Sequence, residues 1–252
     1  MTDVPAFHAQ RDRAESFGAV AASYDRFRPS YPDQLIDVLV ALHPAAVLDI
    51  GCGTGKAARQ LMARGLDVLG VEIDADMAAV ARGHGVPVEV APFESWDAGE
   101  RTFDLIVSGQ AWHWVDPDVG APQLVRLLRP GGTVCFFWNY EDVTPEVQPV
   151  VDDVYRRLAP QLIDRDRAAD DDTHADALRA TGCFASVRTE HFTWPGALPV
   201  ETWIGRISTY SRYLLLGPQR LAAVQQGLRD ALAPLGPDIQ LEAGTYTVWA
   251  RP

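Results

Sequence analysis

The residues best placed for chemistry lie in Val47-Leu48-Asp49-Ile50-Gly51-Cys52-Gly53-Thr54-Gly55-Lys56. Three glycines, Gly51, Gly53 and Gly55, fall within five residues between an apolar run and a helix-like stretch. Glycine has no Cβ, so backbone there can approach a ligand and take positive φ. A phosphate-binding P-loop needs Gly-x4-Gly-Lys followed by Ser or Thr. Gly55-Lys56 fits its end, but Ile50 stands at the first Gly and Ala57 at the hydroxyl. A dinucleotide loop needs Gly-x-Gly-x-x-Gly. Gly51 and Gly53 fit, but Lys56 occupies the third Gly position, where close packing wants no side chain. Asp49, two residues before Gly51, would repel a pyrophosphate. It suits a cationic ligand or a hydrogen-bonded loop. Glu72 follows 19 residues after Gly53, at the end of the next apolar run. An acid at that strand tip can accept hydrogen bonds from ribose hydroxyls.

These residues need elements to hold them. Short apolar runs at Ala46–Ile50, Asp67–Val71, Val86–Val90, Phe103–Val107 and Thr133–Trp138 read as buried strands. Phe184–Trp194 and Ile239–Trp249 read as two more. Between the first five lie helix-like stretches at Thr54–Arg64, Ala75–Arg82 and Val119–Leu128, the last closed by the turn signal Arg129-Pro130-Gly131-Gly132. Such alternation implies a parallel sheet with right-handed crossovers. The fold class expected is α/β: a doubly wound, mostly parallel, seven-stranded sheet with helices on both faces. Its carboxyl-end crevice is the ligand position. Ser16–Tyr24 reads as a short helix, ended by Pro29 and Pro32. Val147–Leu162, Val200–Leu215 and Gln219–Leu232 read as helices, and Asp164–Asp176 as a solvated loop or helix surface. No composition shift marks a linker. One domain over 1–252 is therefore expected, with a cap at 1–34, a core at 35–141 and lid elements at 142–252.

Composition excludes several classes. The 252 residues carry 22 Lys plus Arg against 34 Asp plus Glu, a formal charge of −12. That balance argues against sequence-independent nucleic-acid binding. Lys56 is the only lysine, so no polybasic membrane patch is expected, and no apolar run reaches a membrane span. Cys52, Cys135 and Cys183 lack metal-ligand spacing and are odd in number, so neither a metal site nor a disulfide framework is expected. The polar start, Met1–Arg13, has no signal-peptide character, and a cytoplasmic location is expected.

Asp49-Ile50-Gly51-Cys52-Gly53-Thr54-Gly55 resembles motif I of the class I S-adenosylmethionine (SAM)-dependent methyltransferases. The resemblance continues in order through Val71-Glu72-Ile73-Asp74 with Met77, Ala91-Pro92-Phe93-Glu94, Phe103–Ser108 and Leu128–Gly132. More narrowly, Tyr24–Pro32 and Ser108-Gly109-Gln110-Ala111-Trp112-His113-Trp114 resemble a small-molecule branch that includes trans-aconitate-type enzymes. The C-terminal third matches more weakly, and substrate choice usually lies there and at the N-terminus.

The resemblance implies a Rossmann-like core that binds S-adenosyl-L-methionine and releases S-adenosyl-L-homocysteine. Gly51, Gly53 and Gly55 with Ser108 would form the cofactor cradle, and Asp49 would bind the amino group. Glu72 would hold the ribose, and Ile73, Met77, Phe93 and Glu94 would surround the adenine. Ile73 and Met77 also fit a plain core reading. Methyl transfer is an in-line displacement in which the protein aligns the reactants and excludes water. Trp112, Trp114 and Trp138 lie near the ends of strands four and five, where aromatic faces would tolerate a cation; core packing is the alternative. His113 is the candidate general base for a hydroxyl or amine acceptor, or else a structural residue at a loop tip. Tyr24, Arg28 and Tyr31 would cap the site, with Arg28 able to pair with a carboxylate. Arg206, Tyr210 and Arg212 on a later helix are similar candidates for an acidic acceptor. Cys52 reads as small filler and Lys56 as solvent-facing. The expected partner is a small-molecule acceptor, with the chain a monomer or homodimer. The rival readings are an NAD(P)-dependent oxidoreductase and a non-catalytic SAM-binding regulator.

Overall fold

A computed structural model describes residues 21–163 and 170–252. Seven strands form one sheet in the order β3-β2-β1-β4-β5-β7-β6. They are β1 (Val47–Ile50), β2 (Val68–Glu72), β3 (Val88–Val90), β4 (Phe103–Gly109), β5 (Leu128–Val143), β6 (Ser186–Pro199) and β7 (Asp238–Arg251). The first five pair in parallel, and β7 runs antiparallel between β5 and β6. The sheet is thus the expected Rossmann-like one.

Side-chain alternation along the strands builds two cores. On β5, Val134 and Phe136 face one side while Cys135 and Phe137 face the other. Helices α2 (Asp33–Val40), α3 (Lys56–Ala63) and α4 (Ala75–Gly83) cover the Phe137 side. Helices α5 (Pro117–Leu127) and α7 (Asp170–Ala180) cover the Phe136 side. A third core lies past the sheet, where α6 (Gln148–Leu158), α8 (Val200–Ile207) and α10 (Pro218–Leu232) pack on the far ends of β5 and β7. The short α1 (Ala21–Phe27) joins this lid. The Phe27 ring lies so close to Gly205 of α8 that a Cβ there would stand 2.6 Å from it.

Four expectations change in detail. Strand β5 does not stop at Trp138, because β7 pairs with it as far as Val143 opposite Leu241. Arg129–Gly132 is a bulge inside β5, where the register steps from Phe103 opposite Leu128 to Leu105 opposite Thr133. The stretch Val200–Leu215 breaks into α8 and α9 (Ser211–Leu214), with Thr209 in the gap. Asp170–Ala180 is helical, with Ala175 and Leu178 buried; the part of the charged stretch before Asp170 lies outside the described residues, as does the part of the expected first helix before Ala21. No helix of the described residues is long and apolar enough to cross a membrane.

Candidate active site

The glycine loop turns at the carboxyl end of β1 with φ of 62°, 56° and 81° at Gly51, Gly53 and Gly55. The glycines have different neighbours. A Cβ on Gly51 would stand 2.5 Å from the Ala111 Cβ, so this glycine lets the β4 loop close on the turn. A Cβ on Gly55 would meet Val86 at 2.9 Å and Ala81 at 3.2 Å, so Gly55 serves packing against α4 and not the cleft. A Cβ on Gly53 would meet only the Met77 terminal methyl, at 3.4 Å. Glu72 ties the turn down: its Oε2 accepts from the Gly53 amide at 2.7 Å, and its Oε1 from the Asp74 amide at 2.9 Å. Burial raises the Glu72 carboxyl, and those two amides hold it back in part.

Asp49 stands out behind this loop. It is 1% exposed, and neither carboxylate oxygen makes a well-formed hydrogen bond, the Ala58 amide acting on it only weakly. Burial pushes its carboxyl up to about 8; the Ala58 amide opposes the shift and the Glu72 charge adds to it. Two buried acids side by side with one of them only weakly hydrogen-bonded form a site of negative potential that a cation would relieve. An ammonium group fits this donor-poor pocket, and a pyrophosphate does not.

The cap closes the cleft from the N-terminal side. Asp25 on α1 is gripped by Arg59 at 2.9 Å and by His84 at 2.9 Å, and its carbonyl accepts from Lys56 Nζ at 2.7 Å. Burial would raise the Asp25 carboxyl, but the His84 contact and the Arg59 and Lys56 charges outweigh it and lower it. Lys56 is therefore a clasp between α3 and α1, not the solvent-facing residue expected. Burial lowers its ammonium, with Asp25 opposing. Tyr31 exchanges two backbone hydrogen bonds with the Gln60 amide, at 2.9 and 2.8 Å, and packs edge-on against Phe137 at 4.5 Å. Arg28 donates to the Thr209 hydroxyl at 2.9 Å and its carbonyl at 3.3 Å, with its guanidinium over the rings of Tyr24 and Tyr210. Tyr24, Arg28, Tyr31, Asp49, Gly51 and Gly53 line one cleft together.

The other expected site residues lie elsewhere. Ser108 is fully buried, and its hydroxyl donates to the Ile50 carbonyl at 2.8 Å, clasping β4 to β1. Ile73 is half-buried, and Met77 is buried at the start of α4, where the Asp74 carboxylate caps the helix. Phe93 is in the core, edge-on to Trp112 at 6.2 Å, and Glu94 accepts from the Asp116 amide at 3.3 Å. Trp112 stacks on Phe136 at 4.2 Å and is 4% exposed, so it is core and not substrate wall. Trp114 is half-buried beside His113 at 4.8 Å. Arg206 bonds the Phe27 carbonyl at 3.0 Å and pairs with Glu141, which neutralises it. Tyr210 is the ring under Arg28.

His113 does not fit the role of general base. Its Nδ1 accepts from the Trp138 indole at 3.1 Å, which leaves the neutral ring's proton on Nε2. Burial lowers its pKa to about 3, with the nearby His174 and Arg28 charges adding to the shift. Trp138 in turn stacks on His174 at 4.2 Å and 7°. Cys52 is the expected filler: buried, with its thiol pushed up by burial and by Asp49 and Glu72.

Several cleft residues escaped the sequence reading, among them Gln110 and Asn139. Gln110 takes φ of 62° just past β4, and its amide donates to the Asn139 carbonyl at 3.0 Å. Asn139 accepts from Thr245 at 2.6 Å and donates to the Ser30 carbonyl at 3.2 Å. Both lie at strand ends on the ligand side and line the cleft. The signal was available: Gln110 follows Gly109 at the β4 tip, where a polar residue in αL is uncommon. Among the described residues no group of three or more His, Cys, Asp or Glu could hold a metal ion.

Known proteins resemble this chain in sequence and fold. The family described as a methyltransferase domain matches residues 48–136. An uncharacterized methyltransferase of Mycobacterium tuberculosis is 32% identical, over 84% of this chain and 83% of its own. A solved structure of a putative type II methyltransferase from Anaeromyxobacter dehalogenans superposes with a TM-score of 0.63 at 26% identity, covering 89% of this chain and 98% of that one. A Haemonchus contortus phosphoethanolamine N-methyltransferase, solved with phosphomonomethylethanolamine and S-adenosylhomocysteine, shares the fold with a TM-score of 0.56 at 20% identity, over 100% of this chain and 61% of that one.

Proposed function

The chain belongs to the class I SAM-dependent methyltransferases, and from that premise we propose that it methylates a small-molecule acceptor by in-line displacement. The observation that carries this reading is the buried, only weakly hydrogen-bonded Asp49 carboxylate behind the glycine turn. SAM, when bound, supplies an electrophilic methyl on a sulfonium. Asp49 takes the cofactor's ammonium group, which cancels the charge that burial makes costly. Gly53 leaves room for the methionyl chain. Glu72 holds the turn through its bonds to Gly53 and Asp74, and its remaining acceptor capacity would take a ribose hydroxyl. Ile73 and Met77, which follow Glu72 outside the cleft lining, would pack on the adenine, and Phe93 in the core behind them would only support that side. Tyr24, Arg28 and Tyr31 shut the cleft from above and keep water from the reacting atoms. No residue of this set need act as base, so the chemistry is alignment and exclusion.

Isothermal titration tests this. Micromolar binding of S-adenosylhomocysteine with no binding of NAD is expected. Glu72→Ala leaves the Gly53 and Asp74 amides without acceptors, and should weaken S-adenosylhomocysteine at least about tenfold, from ~1–3 kcal/mol per orphaned group. Tight NAD binding without S-adenosylhomocysteine binding refutes the reading.

A further inference from the structure

The lid helix α8 and the turn after it grip two consecutive residues of the cap. Gly205 lets the Phe27 ring pack on the helix, since a Cβ there would meet that ring at 2.6 Å. Arg206, the next residue, donates from Nε to the Phe27 carbonyl at 3.0 Å. Phe27 ends α1, so its carbonyl is one that the helix leaves without a donor of its own. Thr209 then takes Arg28: its hydroxyl accepts from Nε at 2.9 Å and its carbonyl from Nη2 at 3.3 Å. The Tyr210 ring centre lies 3.9 Å from the same guanidinium. Tyr24 and Arg28 line the cofactor cleft, whereas no residue of α8 does. The lid therefore reaches the cleft through the cap.

Arg206 is itself fixed by Glu141 on β5. Their ion pair is nearly buried, with 12% of the arginine side chain and 6% of the glutamate exposed. The guanidinium is a rigid fork, and its two ends are spent on different elements: Nη1 on Glu141 and Nε on Phe27. Glu141 lies two residues beyond Asn139, on the same side of β5. Asn139 donates to the Ser30 carbonyl at 3.2 Å. The end of β5 thus holds the cap twice, directly at Ser30 and through Arg206 at Phe27.

We infer that Arg206 is a positioning residue for methyl transfer: pinned by Glu141, it docks the end of α1 so that Tyr24 and Arg28 close over the cofactor, and it does not touch the reacting atoms. The inference rests on the methyltransferase reading above. It moves Arg206 from the acidic-acceptor contact expected in sequence to a latch between lid and cap.

Stopped-flow measurement of S-adenosylhomocysteine dissociation tests this, with calorimetric melting to check that each variant folds. Arg206→Lys keeps the charge beside Glu141, but a lysine ammonium is a single point and cannot serve both ends of the fork. Dissociation should be about threefold to tenfold faster, from the loss of one hydrogen bond. The double variant Glu141→Gln/Arg206→Met removes both charges, so that no buried ion is stranded, and should show the same acceleration. Arg229→Ala opens a different ion pair of α8, the one between Glu201 and α10, and should leave the off-rate unchanged. A wild-type off-rate in either Arg206 variant, or equal acceleration by Arg229→Ala, overturns the positioning role alone. No S-adenosylhomocysteine binding by the wild type overturns the methyltransferase reading, and the positioning role with it.

Discussion

Asp49 shows a residue whose value to function is a cost to the fold. Its carboxyl has an ordinary pKa of 3.8 in the unfolded chain and about 8 in the folded one. The native state therefore binds the proton more tightly, and this group's stability is full below the lower value and falls as pH rises toward the upper. Asp49→Asn removes the penalty. At about pH 8 the cofactor-free variant should melt a few °C higher than the wild type, since ~1 kcal/mol moves Tm by about 2–4 °C at this size. The same variant should bind S-adenosylhomocysteine at least about tenfold more weakly, because hydrogen bonds to a charged group are worth ~1.5–3 kcal/mol. Wild-type affinity should strengthen between about pH 6 and pH 8 as Asp49 ionises, and the variant's should stay flat. Differential scanning calorimetry and titration calorimetry read both. A variant that melts lower at pH 8 would mean that Asp49 is not strained in the cofactor-free state. Asp49 was legible in sequence because its partners, the glycines, are its neighbours. The fate of His113 was not. Its low pKa comes from burial and from His174 on α7, and its Nδ1 is taken by Trp138, both far along the chain.

At the scale of elements, what sequence conveys depends on how local the cause is. Strands β1 to β4 were readable because each is an apolar run bounded by turn residues. The end of β5 was not, because Asn139, Glu141 and Asp142 look like a loop until β7 pairs with them. Helix α7 begins in three aspartates and, among its described side chains, buries Ala175 and Leu178, so its sequence resembles solvent-facing coil. The clasp of α1 was also out of reach: Asp25, Lys56, Arg59 and His84 converge only after α3 and α4 fold. Because Tyr24 and Lys56 line the cleft, that clasp should act on access to it as well as on stability. Partly exposed ion pairs contribute ~0–1 kcal/mol each. Asp25→Ala, which breaks the pairs with Arg59, Lys56 and His84, should therefore cost at most about 3 kcal/mol, or roughly 6–12 °C in Tm. It should speed S-adenosylhomocysteine dissociation about threefold to tenfold, because affinity differences reside mostly in the off-rate. Stopped-flow fluorescence measures this, and an unchanged off-rate would remove α1 from gating.

At the scale of the whole molecule, the chain divides its labour between three cores. The two under the sheet hold the glycine turn, Asp49 and Glu72 in place. The third, built on the far ends of β5 and β7, holds the lid. The lid joins the rest through the continuous β5–β7 pairing and through contacts with the cap, such as Arg28 with Thr209, Arg206 with the Phe27 carbonyl and the Phe27 ring on Gly205. A defect in the third core should then be felt in the lid first. Leu228 on α10 is fully buried in that core. Leu228→Ala should cost ~2–5 kcal/mol of local stability, as large-to-small core substitutions do. Hydrogen exchange should accelerate in α6, α8 and α10 while β1, β2 and β4 keep their protection. S-adenosylhomocysteine affinity should stay within about threefold, since Leu228 does not line the cofactor cleft and sites without shared partners couple weakly. Equal loss of protection in the lid and in β1 would show instead that the lid and the cofactor core unfold as one unit, and that the acceptor end cannot vary without disturbing the cofactor end.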